Sequence, residues 1–447
     1  MIAKDYFYNK CVLYYYIIIM KKIILFILLL LANKLYADDT AAIQAMIDAG
    51  NTTLPAHHSY TITRINLSHS LNANGSTFNC LLPGGAAFTM TTPGVKLSNA
   101  EIVGQSDITN TGGSWGVEVN GDNDTVTRAY IHKFTAYGIL GGDGNTPVIT
   151  YNKVTDIGYV GVFFVSGKHD IHGGTVAHDT IDRSMLDAQT VTQGALFLRG
   201  GKDHFSPGWK VHHNLLIMPF LPKDITSECF ELRTASHSVI YDNVCIGGSI
   251  GISVVKSDYV ITSRNNCTKQ KEEGIEYADS NNGMVKDNII RDQAGLGMLL
   301  DGFAPLQCSN DTIMGNKIAN CKSHGIQLFK DTHDIVIRDC DITTSTKAVN
   351  IQGAYGVKLE NCHLHGDGTG HSVGLFFDNS QGKVTMHGGS MDGFGHKFYI
   401  YTNKAVTTDD ILLDKVKDKN NAAEFDKTLS GGGGAGNNIK INKADHN

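Results

Sequence analysis

A short unit recurs about every 22 residues through most of this chain, and a chain of such units has few ways to build a core. Each unit opens on a small residue and an alternating apolar segment, passes a polar turn, and closes a second short strand on Asn. Opening segments include Gly116-Val117-Glu118-Val119, Gly161-Val162-Phe163-Phe164, Ala195-Leu196-Phe197-Leu198, Cys229-Phe230-Glu231-Leu232, Gly251-Ile252-Ser253-Val254, Gly274-Ile275-Glu276-Tyr277, Gly297-Met298-Leu299-Leu300 and Gly325-Ile326-Gln327-Leu328. The closing positions Asn243, Asn265, Asn288, Asn316, Asp339 and Asn361 lie 22 or 23 residues apart, with one interval of 28. A unit this small cannot bury its own apolar face, so the units must stack on one another to make a continuous core. The predicted fold is therefore all-β, a parallel β-helix or solenoid. Asn suits the turn column because it tolerates the left-handed conformation and can hydrogen-bond to its counterpart on the next rung.

The ends of the repeat set the expected domain limits. Met20-Lys21-Lys22, the apolar run Ile23 to Ala32 and then Leu35-Tyr36-Ala37 read as a secretory signal peptide, so residues 1–37 are expected to be a leader and the protein to be secreted or periplasmic, with no membrane span in its mature form. A solenoid's open end exposes strand edges. Asp39-Thr40 followed by Ala41 to Ala49 reads as a capped amphipathic helix with Ile43, Met46 and Ile47 on one face, expected to cover that end. The solenoid is expected over 38–415, and 416–447, with Gly431 to Gly434, as a flexible tail.

The net charge of the whole chain is −6, and losing the five lysines and one aspartate of residues 1–37 takes it to about −10. Such a balance argues against a nucleic-acid partner held by bulk electrostatics. Of nine cysteines, Cys11 goes with the leader and eight remain. Cys245 and Cys267, like Cys340 and Cys362, are 22 residues apart, one rung. A rung spacing of about 4.8 Å allows either cross-rung disulfides or a ladder of buried free thiols. The pairs His57-His58 and His212-His213 are adjacent in sequence, which on a strand points them to opposite faces, so neither pair is expected to chelate one ion and no metal centre is assigned.

Alternation within the opening strands places one column of side chains outward: Phe163, Phe197, Glu231, Ser253, Glu276, Leu299, Gln327, Asn350 and Phe376. The next outward column carries Arg199, Arg233, Asp301 and Asp378, with Lys256, Asp279 and Lys330 one place further. An extended polysaccharide needs a long groove, aromatic faces for its rings and ionisable groups at the middle, and this face offers all three. Glu231 and Glu276 stand two rungs apart, about 9.6 Å between backbones, which brings their carboxyls into the spacing of about 5–9.5 Å used by paired acids in glycosidic cleavage. Arg233 would keep Glu231 ionised, Glu273 and Asp279 would raise Glu276, and Asp301 is the substitute for either role. The expected catalytic group is thus Glu231, Glu276, Asp301 and Arg233. Arg199, Lys256, Asp279, Gln327, Lys330, Phe163 and Phe197 are expected to bind substrate. A second chemistry is β-elimination on a uronic-acid polymer, with Arg199, Arg233, Lys256 and Lys330 neutralising the carboxylate and Glu276, Asp279 and Asp301 able to hold Ca²⁺. A third reading is a non-catalytic, glycan-binding or adhesive β-helix.

The segment Asp38-Asp39-Thr40-Ala41-Ala42-Ile43-Gln44, with Leu54-Pro55 and Tyr60-Thr61-Ile62, resembles the leading segment of the pectate-lyase-like, right-handed β-helix superfamily, and the resemblance extends over about residues 38–415. It implies a right-handed solenoid, a polysaccharide substrate, and a monomer or homotrimer. Cys229 to Arg233, Asn243, Gly251 to Val254 and Gly297 to Leu300 also resemble the catalytic coil of inulin fructotransferases, which implies Glu231 as proton donor. Where that family has a second carboxylate this chain has His213, and Asp224 stands in the extra stretch Pro219 to Ile225.

Overall fold

Short strands of the repeat pair in parallel with the strand one turn on, along the whole of the described chain. The computed structural model describes residues 20–24, 38–82, 84–105, 113–188, 193–222, 226–369, 371–378, 384–401, 411–414 and 439–442. The opening strands form one 14-stranded sheet, which runs from Ile65–Leu67 through Glu228–Arg233, Ile250–Val255, Glu273–Ala278 and Leu296–Asp301 to His396–Tyr401. Most of the remaining strands form a 27-stranded sheet with two strands per turn, such as Val239–Tyr241 and Val244–Ile246, joined at a bend, and Cys308–Ser309 pairs with Thr332–His333 in a separate two-stranded sheet. The chain is a parallel β-solenoid.

Its core is the stacked inward column. Ile252 and Val254, Ile275 and Tyr277, Met298 and Leu300, and Ile326 and Leu328 are all fully buried, each contributing about 1.5–3 kcal/mol for a fully buried large apolar side chain. The small residue that opens each unit is required by space. A Cβ on Gly274 would sit 2.3 Å from Cγ2 of Ile290 and 2.8 Å from the carbonyl oxygen of Gly297, and Gly116, Gly138, Gly161, Gly297 and Gly325 meet the same pair of obstacles.

The bend in the 27-stranded sheet explains the Asn column, with one correction. The left-handed residue is the one before the buried Asn: His213, Asp242, Arg264 and Asp287 have φ of 57°, 56°, 53° and 57°. The Asn that follows turns inward. Asn214, Asn243, Asn265 and Asn288 each donate Nδ2–H to Oδ1 of the next Asn, at 2.9, 2.9, 3.1 and 2.9 Å, ending on Asn316. Each Nδ2 also donates to a backbone carbonyl of the preceding rung, for example Asn265 to Ile240 at 3.1 Å. Asp339 and Asn361, expected in this column, are themselves left-handed (φ 52° and 53°), and the inward places belong to Cys340 and Cys362. Their thiols donate to the Ile313 and Ile337 carbonyls, at 3.8 and 3.3 Å, as the amides do below them.

All eight cysteines from Cys80 to Cys362 are buried free thiols. Cys245 and Cys267 are in register on adjacent rungs, so of the two arrangements open to the pairs the thiol ladder is the one found.

At the N-terminal side, helix Thr40–Asp48 buries Ile43 and Ile47 and leaves Met46 half-buried. Asp38 rather than Asp39 accepts the Thr40 amide (2.9 Å), while Asp39 Oδ2 accepts the Thr61 amide (2.9 Å) and ties the helix to the first strand. At the other side the sheet continues into the expected tail: Ile439–Asn442 pairs in parallel with Ile411–Asp414. The Gly-rich stretch 430–438, the leader apart from the helical residues 20–24, and Asp224 lie outside the described residues. Among the described residues no helix is long and apolar enough to cross a membrane.

Candidate active site

The outward column of the 14-stranded sheet is continuous in register: Phe163, Phe197, Glu231, Ser253, Glu276, Leu299, Gln327, Asn350 and Phe376 are successive partners. Two places along, Arg199, Arg233, Val255, Ala278 and Asp301 form the second column. Glu231, Glu276 and Asp301 therefore share one exterior face of the sheet, with Glu276 two rungs from Glu231 and Asp301 one rung further.

Glu231 is at the bottom of this face. Its side chain is 1% exposed, with one carboxylate oxygen accepting from Arg199 Nη2 and the other from Arg233 Nε. Two guanidiniums thus occupy both oxygens, which makes Glu231 an acceptor in this arrangement. Arg199 in turn lies 4.2 Å over the Phe197 ring and 5.9 Å from Phe163. Phe197, expected as an open stacking platform, is 1% exposed because the guanidinium covers it. Phe163 stays half-buried, its ring stacked on Tyr137 at 5.6 Å and 24°.

One rung group further, Ser253 Oγ donates to Glu276 Oε2 at 2.6 Å. Burial raises the Glu276 carboxyl, the Ser253 bond opposes this, and Glu231 and Glu272 add like charge. The direction is the expected one, with burial as its first cause. Asp301 is 6% exposed, and its Oδ1 has no hydrogen-bond partner among the described residues. Burial, then the charge of Glu276, pushes its carboxyl up to about 7.

Two further carboxyls that sequence reasoning left out of the site belong to the same patch. Glu228 and Glu273 both pair with Ile250 in the sheet, three residues before Glu231 and Glu276. Burial followed by the neighbouring glutamates pushes Glu228 up to about 7 and Glu273 up to about 8. The opening strands begin at these residues, one place before the Cys or Gly from which the repeat was read.

The outermost positions have other duties. Asp279 Oδ1 accepts the Phe303 amide at 2.8 Å and anchors the loop after Asp301, so it is not open to a ligand on that side. Gln327 Nε2 donates to Gln352 Oε1 at 3.3 Å. Lys256 and Lys330 are exposed, the latter with Nζ 4.9 Å from the Phe329 ring. Of the three carboxylates expected to suit Ca²⁺, Glu276 and Asp279 already accept protein hydrogen bonds, and Asp301 offers the free oxygen.

The histidine pair departs from expectation. His213 occupies the left-handed corner (φ 57°), which breaks the strand's alternation, so His212 and His213 both face outward and their Nδ1 atoms are 3.0 Å apart. His57 is likewise left-handed (φ 55°), and both His57 and His58 are exposed.

Residues 228–391 match the family described as "Right handed beta helix region". No curated protein matches the sequence. Among solved structures, the Dettilon tailspike protein (gp208) is 16% identical over 68% of this chain and 63% of that chain, with a TM-score of 0.51. The pre-mature bacteriophage phi29 gene product 12 is 12% identical over 86% of this chain and 59% of that chain, with a TM-score of 0.61. The match thus spans about three fifths of the length of these two proteins. The family match and the strand topology agree: the chain folds as a right-handed parallel β-helix, the fold implied by its resemblance to the pectate-lyase-like superfamily.

Proposed function

We propose that the protein is an exported polysaccharide-processing enzyme that cleaves glycosidic bonds on the exterior of its 14-stranded sheet, with Asp301 as the acid and Glu276 as its partner. The observation that carries this reading is the placement of two carboxyls on adjacent rungs of one face, Glu276 accepting from Ser253 and Asp301 with an oxygen that has no partner among the described residues. Their backbones are one rung and two residues apart, about 8 Å from strand dimensions, within the separation of about 5–9.5 Å that glycosidic cleavage uses. Asp301, pushed up to about 7, retains a proton near neutrality to give to the leaving oxygen as the C–O bond breaks. Glu276, held by Ser253, is the group to activate water or attack the anomeric carbon. In this reading Glu231 positions the patch through its two arginines and is not the proton donor. Arg199 and Arg233 are engaged with Glu231, so elimination on a uronate would have to rely on Lys256 and Lys330.

The test is incubation with a panel of polysaccharides and product analysis by mass. Addition of water or intramolecular transfer is expected, abolished by Asp301→Asn, with the wild-type rate falling as pH rises through about 7. Unsaturated ends would show elimination instead, and binding without any depolymerisation would show an adhesive solenoid. Full activity in both Asp301→Asn and Glu276→Gln would overturn the assignment.

A further inference from the structure

A second cluster with chemistry of its own lies on the 27-stranded sheet, at the corner between two successive rungs. Strands Thr175–Ala177 and Lys210–His212 pair in register, with Ala177 opposite His212, and each runs into a left-handed histidine, His178 (φ 59°) and His213 (φ 57°). The corner turns two consecutive side chains outward on the second rung, so three imidazoles meet where strand alternation would bring two. One ring nitrogen from each of His178, His212 and His213 lies within 4.8 Å of the others.

The surroundings hold these rings from behind. His178 stacks on Tyr151 at 4.6 Å and 1°, and His212 stacks on Tyr241 at 4.7 Å and 17°. His213 Nε2 is 3.8 Å from Asp242 Oδ2, and Arg264 pins that carboxylate with two hydrogen bonds of 2.9 and 2.8 Å. At 3.8 Å the Asp242 carboxylate is an electrostatic neighbour of the ring rather than a hydrogen-bond partner, and it places negative charge beside the cluster. The Nδ1 atoms of His212 and His213 are 3.0 Å apart, a hydrogen bond in which one ring donates to the other, and an ion that binds both lone pairs takes the place of that proton.

We propose that His178, His212 and His213 bind one divalent transition ion, Zn²⁺ or an ion of similar preference, and so clasp two rungs of the solenoid together. Imidazole nitrogens suit Zn²⁺, Cu²⁺ or Ni²⁺, whereas Ca²⁺ and Mg²⁺ take oxygen ligands. Metal–nitrogen bonds of about 2.0–2.1 Å at tetrahedral angles place ligand nitrogens about 3.4 Å apart. The His212–His213 pair, at 3.0 Å, is about 0.4 Å short of that spacing, and His178 and His213, which are exposed and stacked on each other at 4.8 Å, must turn to bring their nitrogens onto one ion. The fourth position faces solvent and takes water.

The test is titration of the metal-free full chain with Zn²⁺ in competition with a chromophoric chelator. One equivalent bound at micromolar affinity or tighter is expected. His178→Asn and His213→Asn, which keep a residue tolerant of positive φ, should each weaken it at least tenfold, whereas His57→Asn should not. Cu²⁺ bound to the unaltered protein should show three nitrogen ligands by electron paramagnetic resonance, a readout that needs no variant. Fewer than three nitrogens, no stoichiometric binding, or binding unchanged in either His178→Asn or His213→Asn would each overturn the site.

Discussion

Asp179 stands in the interior amide ladder where its neighbours on both sides are asparagines, and replacing it with Asn should stabilise the protein. Its Oδ1 accepts from the amide nitrogen and from Nδ2 of Asn152, at 2.6 and 3.0 Å, and its own amide donates to Asn214 Oδ1 at 2.9 Å. Oδ2 is buried with no partner. The corresponding amides donate backward, Asn152 to the Val126 carbonyl and Asn214 to the Val176 carbonyl. The Ile149 carbonyl, opposite Val176 in register, is therefore the acceptor that an Asn at 179 would reach, along with Asn214 Oδ1. Burial pushes Asp179 up to about 7. Each pH unit of delayed titration corresponds to about 1.4 kcal/mol, so the ionised form costs the fold up to about 4 kcal/mol relative to an ordinary aspartate.

The sign follows from the folded value lying above the unfolded one. The wild type keeps this contribution below about pH 4 and loses it as pH rises through about 7, whereas the Asn variant has no such loss. From ionisation alone the wild type has lost about 1.5 kcal/mol by pH 5 and about 4 kcal/mol by pH 8, so Asp179→Asn should gain up to about 4 kcal/mol at pH 8 and about 2–3 kcal/mol less than that at pH 5. Urea unfolding followed by circular dichroism at the two pH values measures this, with slopes compared so that altered cooperativity is not taken for stability. A chelator in the buffer keeps metal at the adjacent His178 out of the comparison. No gain at pH 8, or an equal gain at both pH values, would refute the reasoning.

Three other perturbations test the packing of the candidate site and its support. The double change Arg199→Ala with Arg233→Ala leaves the buried Glu231 carboxylate without partners and should cost about 3–5 kcal/mol; Glu231→Gln should cost less, because the guanidiniums, at 27% and 46% side-chain exposure, can turn to water. Both are read from chemical denaturation at neutral pH. Gly274→Ala should lower stability by about 1–3 kcal/mol through overpacking against Ile290 and the Gly297 carbonyl, and an unchanged denaturation midpoint would show that the rung spacing yields more readily than described.

The solenoid and its outward column were legible because stacking fixes register: once the opening segments are aligned, Glu231, Ser253 and Glu276 must be successive neighbours. What escaped sequence reasoning lies where strand alternation fails or where side chains cover one another. His213 and Asp339 sit at left-handed corners, so an odd–even rule put His213 on the wrong face, and grouping Asp339 with the closing asparagines hid that the inward place on that rung belongs to Cys340. Phe197 was read as open because nothing in its own segment reveals Arg199, on the same strand, folding back over its ring. Glu228 precedes the small residue taken as the start of the unit, and strand pairing across Ile250 shows that it joins Glu273 in the acidic patch.

The side chain-to-side chain bonds of the ladder from Asn214 to Asn316 all run one way: each of the four links is given by the lower-numbered amide and received by the higher. The group dipoles therefore line up head to tail along the axis, in a dry interior where neighbours polarise each other. Such a line can be lengthened or shortened by whole turns without an interruption, whereas an insertion of half a turn would leave a donor and an acceptor facing nothing. Evolutionary change in the length of this protein is accordingly expected in integral coils, with partial insertions diverted to the loops outside the amide line.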